Sequence, residues 1–181
     1  VLGRNHASDE KKEEILGAVS QQDHEGCEPH VYEVSSLAYR GVMEGKDQAI
    51  LATGETGSGK TESIKIVLEH LVNMRPSNDL LVQQILQSTP IFKAFGSAKT
   101  RLNPTSTRFG LVTKLRFTEV GHLAGAMFDT YFLETSRAVS HADGDGNFRI
   151  FYEILAAPPE TKRELLGADW ALATSSDFAY L

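Results

Sequence analysis

The apolar pattern in the first half of the chain predicts a strand between two helices. Apolar positions recur at helical spacing over about residues 30–44 and again in the stretch that begins at Thr61. The second stripe is formed by Ile64, Val67, Leu68 and Leu71. Between the helices, Gln48–Thr53 carries a short continuous apolar run, which is typical of a buried strand. This order of elements favours an α/β fold.

Two helical stretches separated by a proline are predicted next. A helix is expected over about residues 79–88, with Ser77 or Asn78 as its N-cap. Proline has no backbone N–H to continue a helix, so Pro90 is expected to start a fresh turn, which Gly96 closes.

From Gly110 onward the apolar period becomes 2, which predicts a β-hairpin. Gly121-His122 is the expected turn, and residues 123–131 form the second strand. Residues 148–155 carry another apolar helical face, and the tail over 160–181 is expected to be helical.

Composition indicates an ordinary globular protein. The chain has 181 residues, of which 41% are hydrophobic and 23% charged, enough for one domain with a core. A net charge of −6 weighs against a free-standing nucleic-acid binder. Apolar runs stay short of the roughly 18 residues of a membrane span. The single cysteine, Cys27, suits a reducing compartment, so a cytoplasmic location is expected.

The two ends of the sequence suggest a partial domain. Residues 1–28 carry a charge run and little apolar material, and are expected to be a loosely ordered extension. Residues 29–181 are expected to form the folded part. The chain begins at Val1 rather than Met, which favours a fragment of a longer protein.

The stretch Gly54–Thr61 fits the G-x-x-x-x-G-K-[ST] pattern of a phosphate-binding P-loop. Glycines allow a tight turn whose N–H groups face one anion, and the following helix points its positive end at the phosphates. Lys60 can reach the β- and γ-phosphates, and the hydroxyl of Thr61 can bind Mg²⁺. The predicted nucleotide-binding residues here are Gly54, Glu55, Thr56, Gly57, Ser58, Gly59, Lys60, Thr61 and Glu62. By its letters alone, this loop is equally typical of RNA helicases and kinesins.

A second polar motif lies at Asn103–Gly110, with three consecutive hydroxyls followed by Arg108. One explanation is a polar loop whose Ser and Thr side chains bond to local backbone. The other is a sensor of the γ-phosphate, with one hydroxyl on Mg²⁺ and another near the attacking water. The spacing alone favours neither.

The Asn103–Gly110 motif resembles switch I of the myosin motor domain, whose pattern is Asn-x-Asn-Ser-Ser-Arg-Phe-Gly-Lys. A kinesin would be expected to show Ser-Ser-Arg-Ser-His instead. Further stretches resemble the myosin family in the same order: Pro29-His30-Val31-Tyr32, Ala94-Phe95-Gly96-Ser97-Ala98-Lys99-Thr100, Tyr131-Phe132-Leu133-Glu134-Thr135-Ser136-Arg137 and Asn147-Phe148-Arg149-Ile150-Phe151-Tyr152. The resemblance covers residues 29–181. It implies an incomplete P-loop NTPase-type mixed sheet flanked by helices.

The resemblance also implies roles for individual residues. Lys60 and the Gly57–Gly59 amides would hold the β- and γ-phosphates of ATP, and Asn103 would contact the phosphates. The implied Mg²⁺ ligands are Thr61 and Thr107. The implied catalytic residues are Lys60, Ser106 beside the lytic water, and Arg108, which would pair with an acidic residue of switch II.

The resemblance extends to partners and to what is missing. Family members act on actin filaments in the cytoskeleton, and this segment would work with the remainder of a motor domain. Switch II, an Asp-x-x-Gly-Phe-Glu motif, does not occur in these 181 residues. We therefore expect the chain to be insufficient for turnover alone and to fold poorly or bind ATP weakly.

Three interpretations of function follow from these patterns. The first is the nucleotide-binding part of an actin-based motor ATPase. The second is a degenerate, non-hydrolysing nucleotide binder, which Thr105 and Leu111 favour because the family has asparagine and lysine there. The third, a helicase-type ATPase, would need a basic channel that the sequence does not show.

Glu134 and Arg137 are three residues apart and could form an ion pair if that stretch is helical.

Overall fold

The computed structural model describes residues 30–75 and 79–181, which belong to two compact units. The described part of the first unit runs up to Leu86 and includes Lys114–Met127, and the second unit comprises Gln87–Thr113 and Phe128–Leu181. The predicted extension over 1–28 and the predicted caps at residues 77 and 78 lie outside the described residues.

Two helices pack together in the first unit, as the apolar stripes predict. Helix α1 spans Val31–Met43 and helix α2 spans Lys60–Val72. His30 caps α1, because its Nδ1 accepts a hydrogen bond of 3.1 Å from the backbone N–H of Tyr32. Between the helices, the hydroxyl of Ser35 lies 2.6 Å from Nδ1 of His70. The buried residues of the two helices are Tyr32, Ser35, Ser36, Tyr39, Val67, Leu68, His70 and Val72.

The predicted strand over Gln48–Thr53 is not formed. This segment has no regular secondary structure, and Leu51 is 85% exposed. A strand requires a neighbour for its backbone N–H and C=O groups, and no strand of the described residues pairs with it. The mixed P-loop NTPase-type sheet is therefore not formed either, and the described residues form two small two-stranded sheets instead.

Helix α3 spans Asp79–Gly96 without a break, although two helices were predicted here. Pro90 lies inside this helix. A proline removes only one backbone hydrogen bond of the helix, so the turns on either side can still continue through it. The predicted end at Gly96 is confirmed.

The predicted β-hairpin is confirmed. Two short strands come first in the chain, β1 at Ser97–Ala98 and β2 at Ser106–Thr107. The hairpin strands β3, Gly110–Phe117, and β4, Leu123–Tyr131, form a separate sheet. At the turn, the amide of Thr118 donates to the carbonyl of His122 at 2.9 Å. Gly121 adopts a φ of +87°, which L side chains disfavour, so the turn requires glycine there.

The end of the chain is only partly the helix that was predicted. Helix α4 spans Arg149–Ala156 and helix α5 spans Pro159–Leu166, and two single 3₁₀ turns follow. Gly167, at φ +100°, ends α5. The buried ammonium of Lys162 ties the tail to α4 and to the following loop, donating to the carbonyls of Leu155 and Ala173 at 3.1 and 2.8 Å.

Within the described ranges, no helix combines the length and apolar character needed to cross a membrane.

Candidate nucleotide site

The backbone of the Gly54–Thr61 loop turns at its glycines. Gly54, Gly57 and Gly59 have φ values of +142°, +84° and +93°, a region that L side chains rarely adopt. The amide of Ser58 donates to the carbonyl of Glu55 at 3.2 Å, which closes the turn. A Cβ atom at Gly54 would lie 2.8 Å from the hydroxyl oxygen of Ser58. The loop therefore requires glycine for its conformation and for its tight inner contact.

Lys60 is the first residue of α2 and folds back over the loop. Its ammonium donates to the carbonyls of Gly54 and Glu55, both at 2.7 Å. This position places a positive charge at the mouth of the loop, next to the helix N-terminus and the positive end of its dipole. Thr61 and Glu62 follow in the first turn of α2 and are exposed. The predicted members of the loop are thus brought together in one exposed, positively polarised turn.

A cleft of about 310 Å³, lined by both polar and apolar residues, lies beside the loop in the first unit. Its walls are the facing sides of α1 and α2 together with the unpaired segment before the loop. The lining residues are Val31, Val34, Ile50, Leu51, Ala52, Thr53, Ser58, Lys60, Ser63, Ile64 and Val67.

The start of the Asn103–Gly110 segment bonds to itself. Oδ1 of Asn103 accepts a hydrogen bond of 2.8 Å from the amide of Thr105. The backbones of Thr100 and Asn103 exchange two hydrogen bonds of 2.9 and 3.2 Å. The side-chain oxygen of Asn103, a predicted phosphate contact, is therefore directed onto its own loop.

The middle of the segment is a short strand rather than the predicted loop. Ser106 pairs with Ala98 and Thr107 pairs with Ser97, in antiparallel register. Consecutive residues of a strand point to opposite faces, and accordingly Ser106 is buried while Thr107 is exposed. Of these two residues, only Thr107 is exposed to solvent.

Arg108, the predicted charged member of the segment, forms an ion pair with Glu134. Its Nε lies 2.5 Å from Oε2 of Glu134, and its Nη1 donates to the hydroxyl of Ser106 at 3.3 Å. Nε of Arg137 lies 2.8 Å from the same carboxylate oxygen, which confirms the pairing predicted for Glu134 and Arg137. Hydrogen bonds from Arg108 and then from Arg137 lower the pKa of Glu134 from 4.5 to about 2.

Sequence reasoning did not find the contact between Arg108 and Glu134, which are 26 residues apart. The hairpin contained a usable signal. A Cβ atom at Gly110 would lie 3.6 Å from the carbonyl oxygen of Tyr131, and beyond the strand ends the amide of Glu134 donates to the carbonyl of Arg108 at 3.1 Å. Counting outward from the predicted turn at Gly121-His122 would have placed Arg108 opposite Thr135, the residue next to Glu134. Asp145, which also contacts Arg137, had no comparable signal.

The predicted site residues thus fall into two groups, each with its own geometry. The Gly54–Glu62 group lies in the first unit, and Asn103, Ser106, Thr107 and Arg108 lie in the second. The first group forms a glycine-lined turn that leads into a helix, with the Lys60 ammonium over its mouth.

Comparison with known proteins identifies the family. The chain belongs to the myosin head (motor domain) family, whose model matches residues 8–181. It is 38% identical over 185 residues to Myosin-13 of Arabidopsis thaliana, covering 99% of this chain and 12% of that protein. It is 40% identical to Myosin-14 of Homo sapiens over 84% of this chain and 8% of that protein. It is 38% identical to the myosin-I heavy chain of Dictyostelium discoideum over 84% of this chain and 6% of that protein.

These comparisons confirm the resemblance found in the sequence and show how much of its relatives the chain covers. The chain spans only about a tenth of the length of the curated relatives it matches. It therefore corresponds to part of a myosin head.

Proposed function

We propose that this chain is the MgATP-binding segment of an actin-based cytoskeletal motor, in which ATP hydrolysis is coupled to movement. The observation that carries the proposal is the Gly54–Thr61 loop, with three glycines at positive φ and the Lys60 ammonium over its mouth. Family membership supplies the context of a motor head. Actin filaments, the remainder of the motor domain and a cytoplasmic, cytoskeletal location belong to the same proposal.

The loop is proposed to bind the β- and γ-phosphates of ATP. Lys60 would exchange its two carbonyl acceptors for phosphate oxygens, which bind an ammonium more strongly because they are charged. The Gly57–Gly59 backbone would direct N–H groups at the same phosphates, and the α2 dipole would add to the attraction. Space next to the loop is open at Gly57 and Gly59, where a Cβ atom would meet nothing within 4 Å.

The hydroxyls of Thr61 and Thr107 are proposed as Mg²⁺ ligands, since Mg²⁺ prefers oxygen donors and is commonly shared with nucleotide phosphates. Both residues are exposed. When bound, Mg²⁺ neutralises charge that develops on the phosphate oxygens.

Ser106 and Arg108 are proposed to act in hydrolysis, with Ser106 next to the attacking water. Ser106 is buried and Arg108 is paired with Glu134, so both would have to move or gain partners to act on nucleotide. Phosphoryl transfer depends on positioning and on charge stabilisation. We therefore propose that the 181 residues alone bind nucleotide without turning it over efficiently.

Titration of the full chain with MgATP, followed by calorimetry, tests the phosphate loop. Lys60→Ala should weaken binding by at least about tenfold, because it removes a charged hydrogen-bond donor from the phosphates. The matched control is Lys65→Ala, in the same helix, which removes an exposed ion pair to Glu69 at 3.6 Å and should leave affinity unchanged. Equal affinity of wild-type protein and Lys60→Ala, or loss of binding in both variants, would contradict the proposal.

A second candidate is a nucleotide binder that has lost hydrolysis. Thr105 and Leu111 differ from the family pattern, and the side chain of Asn103 bonds to its own loop. Phosphate release from a protein extended through the rest of the motor head separates the candidates. If the extended wild-type protein releases phosphate faster than its Lys60→Ala variant, the motor is supported. If the two release phosphate at the same rate while the wild type still binds MgATP, the non-hydrolysing protein is supported.

A further inference from the structure

One carboxylate, that of Glu134, lies between two arginines in the second unit. Its Oε2 accepts from Nε of Arg108 at 2.5 Å and from Nε of Arg137 at 2.8 Å. Its Oε1 accepts from Nη2 of Arg137 at 3.3 Å. A single side chain therefore links the Asn103–Gly110 segment to the turn that follows β4.

The two arginines are held to very different degrees. Arg137 is 5% exposed, and besides Glu134 it donates to the carboxylate of Asp145 at 3.2 Å and to the carbonyl of Gly146 at 2.9 Å. Arg108 is 29% exposed and donates to Glu134 and, over 3.3 Å, to Ser106. Arg137 thus fixes Glu134 in place, and Glu134 in turn fixes Arg108.

Arg108 passes this constraint on to the hydroxyl of Ser106. That hydroxyl oxygen accepts the hydrogen bond from Nη1 of Arg108. An oxygen that accepts from a guanidinium must direct its own proton elsewhere, since a guanidinium has no acceptor. The orientation of the buried Ser106 hydroxyl therefore depends on where Glu134 holds Arg108.

We propose that Glu134 is a positioning residue: anchored by Arg137, it holds Arg108 and thereby sets the position of the Ser106 hydroxyl and of the short strand around it. A role of this positioning in ATP hydrolysis rests on the proposed function, because it is that proposal which puts Ser106 next to the attacking water. The positioning itself is a property of the second unit.

Hydrogen exchange of the ¹⁵N-labelled full chain tests the proposal directly. Glu134→Gln keeps the size of the side chain and removes its charge. It should raise the exchange rates of the Arg108 Nε–H and of the amides of Ser106, Thr107 and Arg108 by about tenfold, as expected for loss of a charged hydrogen bond. The amides of α4 and α5 should keep their rates. Unchanged rates at Arg108, or an equal rise throughout the unit, would overturn the proposal.

Two further variants control the experiment. Glu153→Gln breaks the exposed pair between Arg149 and Glu153 and should leave the 106–108 amides unchanged. If Glu134→Gln does not fold, Arg108→Gln opens the same contact while Glu134 keeps its partner Arg137. It should then raise exchange of the Ser106 and Thr107 amides to a similar extent, and unchanged rates in this variant would also overturn the proposal.

Adding MgATP separates this proposal from the proposed function. If wild-type protein binds MgATP, Glu134→Gln should bind it several-fold more weakly while Glu153→Gln keeps wild-type affinity, and equal affinity of all three overturns the link to nucleotide. If wild-type protein does not bind MgATP, the proposed function fails, and the exchange rates still decide whether Glu134 positions Arg108.

Discussion

The Gly54–Thr61 loop and the Asn103–Gly110 segment carry the two halves of the predicted site, and the chain stabilises them in opposite ways. The loop is exposed and depends on neighbours in sequence: glycines at positive φ, one turn, and a lysine that reaches back five and six residues. The segment depends on residues far along the chain, including strand pairing with Ser97–Ala98 and an ion pair to Glu134.

Local and long-range stabilisation have different consequences. A loop defined by its own residues can keep its conformation when the sheet around it is missing, as happens here beside the unpaired Gln48–Thr53 segment. A segment defined by distant partners depends on the packing of its whole unit. We therefore expect mutations in the loop to affect binding more than stability, and mutations around the segment to affect stability.

The largest expected effect is that of Arg137→Gln. This change leaves Glu134 and Asp145 without their buried guanidinium partner and should lower the free energy of unfolding by about 3 to 5 kcal/mol. Urea unfolding followed by the fluorescence of Trp170, which lies in the same unit, measures the loss. Lys60→Ala in the loop should change stability by no more than about 0.5 kcal/mol, as judged by circular dichroism.

The matched control for Arg137 is Arg149→Gln. Arg149 also pairs with a glutamate, Glu153, but both side chains are exposed, so the loss should stay below about 1 kcal/mol. Similar losses for Arg137→Gln and Arg149→Gln would show that burial of the first pair contributes nothing. A loss for Lys60→Ala as large as that for Arg137→Gln would refute the contrast between the two regions.

A second prediction concerns Gly96, at the end of α3. A Cβ atom there would lie 2.3 Å from the ring of Phe109, which stacks on Phe92 with centroids 6.4 Å apart. Gly96→Ala must displace that ring and should cost about 2 kcal/mol in unfolding free energy, measured by Trp170 fluorescence in urea. Gly125→Ala is the control, because a Cβ atom at Gly125 meets nothing within 4 Å and its φ is not positive. Equal effects of the two changes would contradict the packing argument.

What the sequence could and could not predict follows the same division. Helices α1 and α2 and the hairpin depend on periodicity and local backbone preferences, and these predictions are confirmed. The strand over Gln48–Thr53 was predicted from its apolar run, yet a strand also needs a hydrogen-bonding neighbour, which a local pattern does not reveal. The ion pair between Arg108 and Glu134 joins residues that only the hairpin brings together. The motif letters identified the family and implied an acidic switch II partner for Arg108, whereas Arg108 of this chain pairs with Glu134.

Acid should destabilise the Asn103–Gly110 segment, because its partner Glu134 loses its charge. The pKa of Glu134 is lowered from 4.5 to about 2, so its stabilising effect is complete above pH 4.5 and is lost as the pH falls toward 2. The pKa of Asp145 is also lowered, mainly by a hydrogen bond from the backbone amide of Arg101, so its ionised form likewise stabilises the fold and this is lost in acid. Because solvent screens this partly exposed group, the ionised Glu134 should contribute about 1 kcal/mol to the free energy of unfolding. Unfolding free energies of wild-type protein between pH 5 and pH 3 should fall more steeply than those of Glu134→Gln, and parallel curves would contradict this assignment.

The smallest expected effect is at Phe132, just after β4, and it is a gain. Phe132 is the non-glycine residue of the described chain with a positive φ, +55°, and its side chain is 95% exposed. Asparagine tolerates this conformation better than phenylalanine does, and little packing is lost, so Phe132→Asn should raise the unfolding free energy by about 0.5 kcal/mol. Leu102→Asn, at another exposed site (86%) without positive φ, should give no gain. Equal changes at both positions in Trp170-monitored urea unfolding would show that lost exposed apolar surface, rather than relief of backbone strain, causes the effect.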